Sequence, residues 1–187
     1  MDEFSYLSVM IAIILGLALT QVLKGFRGLL HARERVVMFW PVPVWAGLVM
    51  VIAVQSWWAM FDLRSFQDWN FLAFAVVLLQ TIVIYMLAAL VLPDFVGERK
   101  LDLRKSYFQQ SRWFYGLLVL ALLVSMTKEL VLYGHLPQGL NLVFHLVFMA
   151  GGVCMALTRR EAFHKVYTLF SVALFTAYIA VLFAHLR

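Results

Sequence analysis

Long stretches of apolar residues, nearly free of charge, divide the chain into six segments. Only Lys128 and Glu129 place charged side chains inside them. A helix needs roughly 20 apolar residues to cross a hydrocarbon core of about 30 Å, and each segment approaches or exceeds that length. The pattern predicts an all-α integral membrane protein, a compact bundle of six transmembrane helices. The predicted spans are residues 4–23, 37–61, 69–93, 113–133, 140–158 and 166–186.

Turn-forming residues separate the fourth span from the fifth. Gly134, Pro137 and Gly139 lie between the two apolar stretches, and such residues do not continue a helix. With this division, residues 1–187 form a single transmembrane domain. Six spans also admit two inverted three-helix repeats.

Basic residues are concentrated in three of the connections. Twelve of the fifteen Lys and Arg residues lie within residues 24–35, 99–112 and 159–165. Cytoplasmic loops carry an excess of Lys and Arg, so the pattern predicts that both termini face outside. The longest connection, Asp94 to Arg112, fits either a short surface helix or a basic loop that ends in the first turns of the fourth span. Compact loops without glycosylation sites favour a bacterial inner membrane.

Composition narrows the class further. A hydrophobic fraction of 64% and a mean hydropathy of +0.90 exclude an ordinary soluble domain. The net charge of +5 lies beside apolar spans, so we expect lipid and not nucleic acid as the partner. The single cysteine, Cys154, excludes an intrachain disulfide and a Cys-rich zinc site. HExxH, GxSxG and phosphate-loop motifs are absent from the sequence, so we expect no cofactor and no metal, and an enzyme is not favoured.

Six polar side chains form a candidate polar cavity near the outer surface. A rise of about 1.5 Å per residue places five of them, on four helices, at a similar depth. The sixth lies one turn deeper, on the same face as Glu129. The candidates are Glu129, His145, Gln55, Lys128, Tyr178 and Ser125.

Two interpretations of this layer remain open. In the first, Glu129 binds a cation or proton in an outward-facing cavity and His145 relays or gates it, because histidine titrates near neutral pH. In the second, Lys128 and Glu129 extend to lipid headgroups, and the other side chains form interhelical hydrogen bonds. The sequence favours the second interpretation slightly for Lys128 and neither for the pair Glu129 and His145.

Other polar and small residues give weaker signals. His135, His145 and His185 lie near Glu129 and could ligate zinc or haem, although a loop or interfacial role is favoured for the first and last. Small residues predict close helix contacts at Gly16 and Gly151. A second, less polar layer lies toward the inner surface, and it consists of Thr20, Gln21, Lys24, Tyr85, Thr168 and Ser171. The six tryptophans, Trp40, Trp45, Trp57, Trp58, Trp69 and Trp113, lie near predicted span ends, as in aromatic belts.

The leading functional hypothesis is a small channel or transporter for a cation, a proton or a small polar solute, assembled as an oligomer. The convergent polar layer supports it. The alternative is a membrane scaffold or regulatory subunit that binds a partner protein through the basic loops. A haem or metal enzyme comes third.

Overall fold

The computed structural model describes residues 3–94 and 100–182. Within them the chain forms six long helices, each long and apolar enough to cross a membrane, so the predicted all-helical architecture is confirmed. The helices are α1 (Glu3–His31), α2 (Pro41–Ala59), α3 (Phe71–Val91), α4 (Leu103–Tyr133), α5 (Gly139–Leu157) and α6 (Glu161–Leu182).

Several helices extend beyond the predicted spans. Helix α1 continues through its basic residues to His31, and α4 begins at Leu103, ten residues before its apolar segment. Hydropathy marks the part of a helix that fits hydrocarbon, whereas Lys and Arg are good helix formers that continue it into water. Residues 103–112 are therefore the first turns of α4, and residues 95–99 of the same connection lie outside the described residues.

Local signals define the helix ends. Pro41 opens α2, where its missing N–H costs nothing. The Asn70 side chain caps α3 by accepting from Ala73 N at 2.9 Å, and Asp102 caps α4 by accepting from Arg104 N at 2.9 Å. Gly134 ends α4 with a φ of 73°, a conformation that favours glycine.

Short elements connect the long ones. Helical turns lie at Arg33–Arg35 and Met60–Ser65. The pairs β1 (Val36–Val37) and β2 (Leu101–Asp102) form a parallel two-residue ladder, with Val36 opposite Leu101. This ladder fixes the start of α4 beside the connection that follows α1.

Helices α2 to α6 form a ring in which α2 packs on α3, α3 on α4, α4 on α5, α5 on α6, and α6 on α2. Helix α1 packs outside this ring against α2 and α3, and α3 is the most buried of the six described helices. A single stripe of α1, from Leu7 through Ile11 and Leu15, is buried, while apolar side chains such as Ile13 remain exposed. Apolar residues on the outer face are expected where lipid replaces water.

The two ends of the bundle differ in charge. One end, where α2, α4 and α6 begin, carries most of the described basic residues, and we call it the basic end. The other, where α1, α3 and α5 begin, we call the cavity end. The described basic residues of the basic end are Lys24, Arg27, Arg33, Arg35, Lys100, Arg104, Lys105, Arg112, Arg159, Arg160 and Lys165.

Trp45 is buried inside the bundle at the basic end and does not join an aromatic belt there. Its side chain is 2% exposed, whereas Trp113 is 75% exposed. The Trp45 ring contacts Phe114 and Tyr115 edge-on, with centroids 5.3 and 5.5 Å apart. Its Nε1 donates to Thr168 Oγ1 at 3.0 Å, which joins α2 to α6. The tryptophan therefore fills the space between helices and leaves no side-chain polar group unsatisfied.

Beside the Trp45–Thr168 bond, a chain of hydrogen bonds joins α6 to α4. His164 is fully buried, and its Nε2 donates to the carbonyl oxygen of Thr158 at 3.1 Å. In the neutral ring, Nδ1 then accepts, and Tyr107 OH donates to it at 2.8 Å. Tyr115 OH lies 2.6 Å from Tyr107 OH and donates in turn. We call Trp45, Tyr107, Tyr115, His164 and Thr168 the basic-end network.

Replacing Thr168 with Val is expected to destabilise the fold. Val keeps the shape of Thr, but it leaves the buried Trp45 Nε1 without an acceptor, which costs about 1–3 kcal/mol. Thr176→Val on the same helix is the matched control, because Thr176 is exposed and bonds only to Val172 O. The free energy of unfolding in mixed detergent micelles distinguishes the two. Equal losses would show that the Trp45 bond contributes nothing.

Gly151 permits a close approach between α5 and α6. A Cβ at Gly151 would overlap the Tyr167 ring, whereas one at Gly16 would meet nothing within 4 Å. The close contact predicted at Gly151 is present, and the one predicted at Gly16 is not. We expect Gly151→Ala to lower stability by about 1–3 kcal/mol through overpacking. We expect Gly16→Ala to be neutral or slightly stabilising in the same unfolding assay, and an equal loss for both would contradict this packing.

Candidate ligand cavity

A cavity of about 210 Å³ lies inside the ring of helices. Helices α2 to α6 and the turn Met60–Ser65 line it, and the described residues of α1 contribute none. On α4 the lining runs from Leu118 to Tyr133, a distance of about 22 Å along the helix axis. The cavity therefore extends from the cavity end through much of the bundle.

Polarity changes along the length of this cavity. Toward the basic end the walls are mainly apolar and aromatic, with Ser171 as a polar exception, and they include Trp45, Leu48, Ile52, Leu87, Leu118, Ala121, Leu122 and Phe148. Toward the cavity end the walls carry hydroxyl, amide, imidazole and charged groups. The cavity is thus amphipathic, with its charges at one end.

All six polar residues predicted from the sequence line this one cavity. Ser125, Lys128 and Glu129 lie on α4, where spacings of three and four residues put them on one face. The other three come from separate helices: Gln55 from α2, His145 from α5 and Tyr178 from α6. The structure brings the predicted set together without assigning it a function.

Asn141, which the sequence analysis missed, is the centre of the polar contacts. Its Nδ2 donates to Glu129 Oε1 at 3.0 Å, and its Oδ1 accepts from Tyr178 OH at 3.3 Å. The amide therefore connects α4 to α6 through the first turn of α5. Its position four residues before His145, on the same helical face, was the available signal.

Both ring nitrogens of His145 are engaged. Nδ1 donates to the carbonyl oxygen of Asn141 at 2.8 Å. In the neutral ring Nε2 is then an acceptor, and Ser125 Oγ donates to it at 3.1 Å. His145 is 4% exposed, so it joins α4 and α5 as a buried, satisfied group. A ligand that binds this ring must displace one of the two bonds.

Lys128 and Glu129 are adjacent in sequence, and both line the cavity, but they do not pair with each other. Among the described residues, Lys128 Nζ forms no ion pair or hydrogen bond, and the two ion pairs present join Glu161 to Arg104 and to Lys165. Successive helical residues point about 100° apart, which separates the two charged groups. Two opposite, partly buried charges therefore face one cavity side by side, and the exposed carboxylate of Asp62 in the turn after α2 lines it as well.

Two buried polar atoms without a hydrogen-bond partner among the described residues also line the cavity, Gln80 Oε1 and Ser171 Oγ. Gln80 of α3 is 8% exposed, and its Oε1 accepts no hydrogen bond from the described residues. A buried acceptor without a hydrogen-bond donor lowers the stability of the fold by about 1–3 kcal/mol. Gln80 was not among the predicted cavity residues, because its depth in the third span differs from that of the outer polar layer.

The described residues do not assemble a metal site. They contain no group of three or more His, Cys, Asp or Glu side chains that could hold a metal ion. His135 lies in the turn after α4, where its Nδ1 donates to Leu136 O at 3.0 Å. His185 lies outside the described residues. The zinc or haem hypothesis thus gains no ligand set in the part of the chain that the structure describes.

Trp45 separates the large cavity from a second cavity at the basic end. The second has a volume of about 20 Å³, enough for a single water molecule, and its walls include Tyr107 and Gln110. Trp45 borders both, and its ring is held by the aromatic contacts and the Thr168 bond described above. The large cavity therefore ends at Trp45.

Comparisons with known proteins give no match. No protein family model matches the chain, and neither the curated proteins nor the solved structures compared with it contain a similar one.

Proposed function

We propose that the protein is a bacterial inner-membrane transporter that binds a small solute in the cavity among α2 to α6. The observation that carries the proposal is that five polar or charged side chains from four helices, with Ser125 below them, line one cavity. Placing a polar side chain inside a membrane costs free energy. In many proteins such side chains mark a transport pathway or a binding site. A cavity enclosed by several helices is the usual form of a small-molecule site.

The charge distribution supports an orientation. The basic end carries three clusters of Lys and Arg, and such clusters face the cytoplasm in inner-membrane proteins. The N- and C-termini and the cavity end then face outside. In this orientation the solute enters from the outer side, and Trp45 closes the path toward the cytoplasm. The inverted relation between α1–α3 and α4–α6 stays a prediction.

A transporter fits this arrangement better than an open channel. A hydrated ion needs a continuous polar path, whereas below Ser125 the cavity walls are mainly apolar, with only isolated polar groups such as Gln80 and Ser171, and the cavity ends at Trp45. The space beyond Trp45 holds about one water molecule. Passage of a solute would require Trp45 and the basic-end network to rearrange, as in a protein that alternates between two states.

The scaffold alternative rests on the basic loops alone. Part of that positive charge is already paired within the chain, because Glu161 forms ion pairs with Arg104 at 2.6 Å and with Lys165 at 2.7 Å. An oligomer, homomeric or with a membrane partner, stays a prediction for either role.

Flux in proteoliposomes tests the transport proposal. We expect uptake of at least one of four solutes (protons, sodium, potassium or labelled leucine) above protein-free vesicles. Glu129→Gln should lower that uptake by about tenfold or more, since it removes the only charged acceptor bonded to Asn141. Asp68→Asn is the control, because Asp68 is an exposed carboxylate at the same end and does not line the cavity.

His145 provides a second readout in the same assay. Uptake between pH 5 and 8 should change its profile in His145→Gln, since protonation of Nε2 would break the bond from Ser125. An unchanged profile would remove His145 from the mechanism. No uptake of any of the four solutes, together with stable copurification of one partner protein, would contradict transport and favour the scaffold role.

A further inference from the structure

We propose that the ligand of this cavity is a small zwitterion with an apolar body, of the size and type of an apolar α-amino acid. The inference rests on the proposed function only for the role of the cavity as a binding site. Its grounds are the charges, the unpartnered groups and the volume of the cavity.

The opposite charges in the cavity are the first ground. Lys128 and Glu129 are its two partly buried charged lining residues, whereas the third, Asp62, is exposed in the turn after α2. Neither Lys128 nor Glu129 forms an ion pair with another residue of the described chain. A simple cation would match Glu129 and be repelled by Lys128, and a simple anion would do the reverse. A ligand with an ammonium and a carboxylate on one carbon satisfies both groups and adds no net charge.

The second ground is the preset geometry of the carboxylate. Asn141 donates to Glu129 Oε1, which orients the group and leaves Oε2 with no hydrogen bond from a described residue. Gln80 Oε1 is a further unbonded acceptor, deeper in the same cavity. An ammonium group carries three donors, and the free oxygen of Glu129 supplies an acceptor for it. The ammonium of Lys128 supplies donors for the carboxylate.

The third ground is the apolar part of the cavity. Below Ser125 the walls are mainly hydrocarbon and aromatic, with Ile52, Ala121 and Phe148 among them, and Gln80 and Ser171 add isolated polar groups. The volume of about 210 Å³ is somewhat larger than a protein cavity of about 150 Å³ that holds benzene. That space accepts a branched aliphatic or single-ring body, and it is too small for the two acyl chains of a phospholipid. The cavity therefore selects a free small molecule over a membrane lipid.

Equilibrium binding to the protein in phosphatidylglycerol nanodiscs tests the inference. Three probes share one isobutyl body: leucine carries both charges, 3-methylbutylamine only the ammonium, and 4-methylpentanoate only the carboxylate. We expect leucine to bind about tenfold more tightly than either, because each lost charge-assisted contact weakens binding. Empty nanodiscs correct for partition into lipid. This comparison uses the unmodified protein and does not depend on a variant that folds.

Variants of Lys128 and Glu129 test which charged group of the ligand each residue binds. Lys128→Gln should remove the preference for leucine over 3-methylbutylamine, and Glu129→Gln should remove its preference over 4-methylpentanoate. Arg64→Gln and Asp68→Asn, at the same end but outside the cavity lining, should change neither. Ala121→Phe fills the apolar part and should weaken all three probes.

Several results would overturn the inference. Equal binding of leucine and either singly charged probe would identify an ordinary cation or anion site, and no binding of any probe would exclude the class. Loss of leucine binding when phosphatidylethanolamine replaces phosphatidylglycerol would assign the site to a lipid headgroup. Leucine binding without any flux would contradict transport and support the ligand class. Cation flux without leucine binding would support transport and contradict the ligand class.

Discussion

Hydrocarbon provides no hydrogen-bond partners, so polar side chains within the membrane thickness must be satisfied by the protein, by water or by a bound ligand. In this chain the outer faces of the helices are apolar and meet lipid, and the polar side chains converge on the space between helices. Trp45 is an example at the basic end, where its indole N–H donates a hydrogen bond to Thr168. Asn141 is another at the cavity end, where one amide satisfies Glu129 and Tyr178 together.

This constraint produces two polar regions with different character. The basic-end network is fully bonded and closely packed, with both Tyr115 and His164 inaccessible to solvent, which is typical of a group that specifies a unique packing. The cavity end retains Lys128 without a partner in the described chain and Gln80 with an unbonded oxygen. Polar groups that the fold leaves unsatisfied in an enclosed space indicate a ligand. The contrast between the two regions is the reason for placing the binding site at the cavity end and a structural barrier at Trp45.

The depth of a residue in the membrane could be predicted from the sequence, whereas the helices that lie next to each other could not. The helical rise converts residue number into depth, and this was enough to group Gln55, His145 and Tyr178 with Glu129. The same reasoning could not show that Asn141 bridges α4 and α6, because that depends on which helices are adjacent. The sequence left Tyr107 in a connection that fitted either a surface helix or a loop ending in the first turns of the fourth span, since hydropathy does not show how far α4 continues beyond the hydrocarbon.

The central claim is that a water-accessible cavity opens at the outer end of the bundle, and thiol labelling tests it directly. With Cys154 replaced by Ser, a charged, membrane-impermeant thiol reagent is added outside right-side-out vesicles containing Ser125→Cys or Leu123→Cys. Ser125 lines the cavity, whereas Leu123 is 45% exposed on the outer face of the same helix. We predict rapid labelling at position 125 and almost none at position 123. Equal labelling at both positions, or no labelling at position 125, would contradict the account.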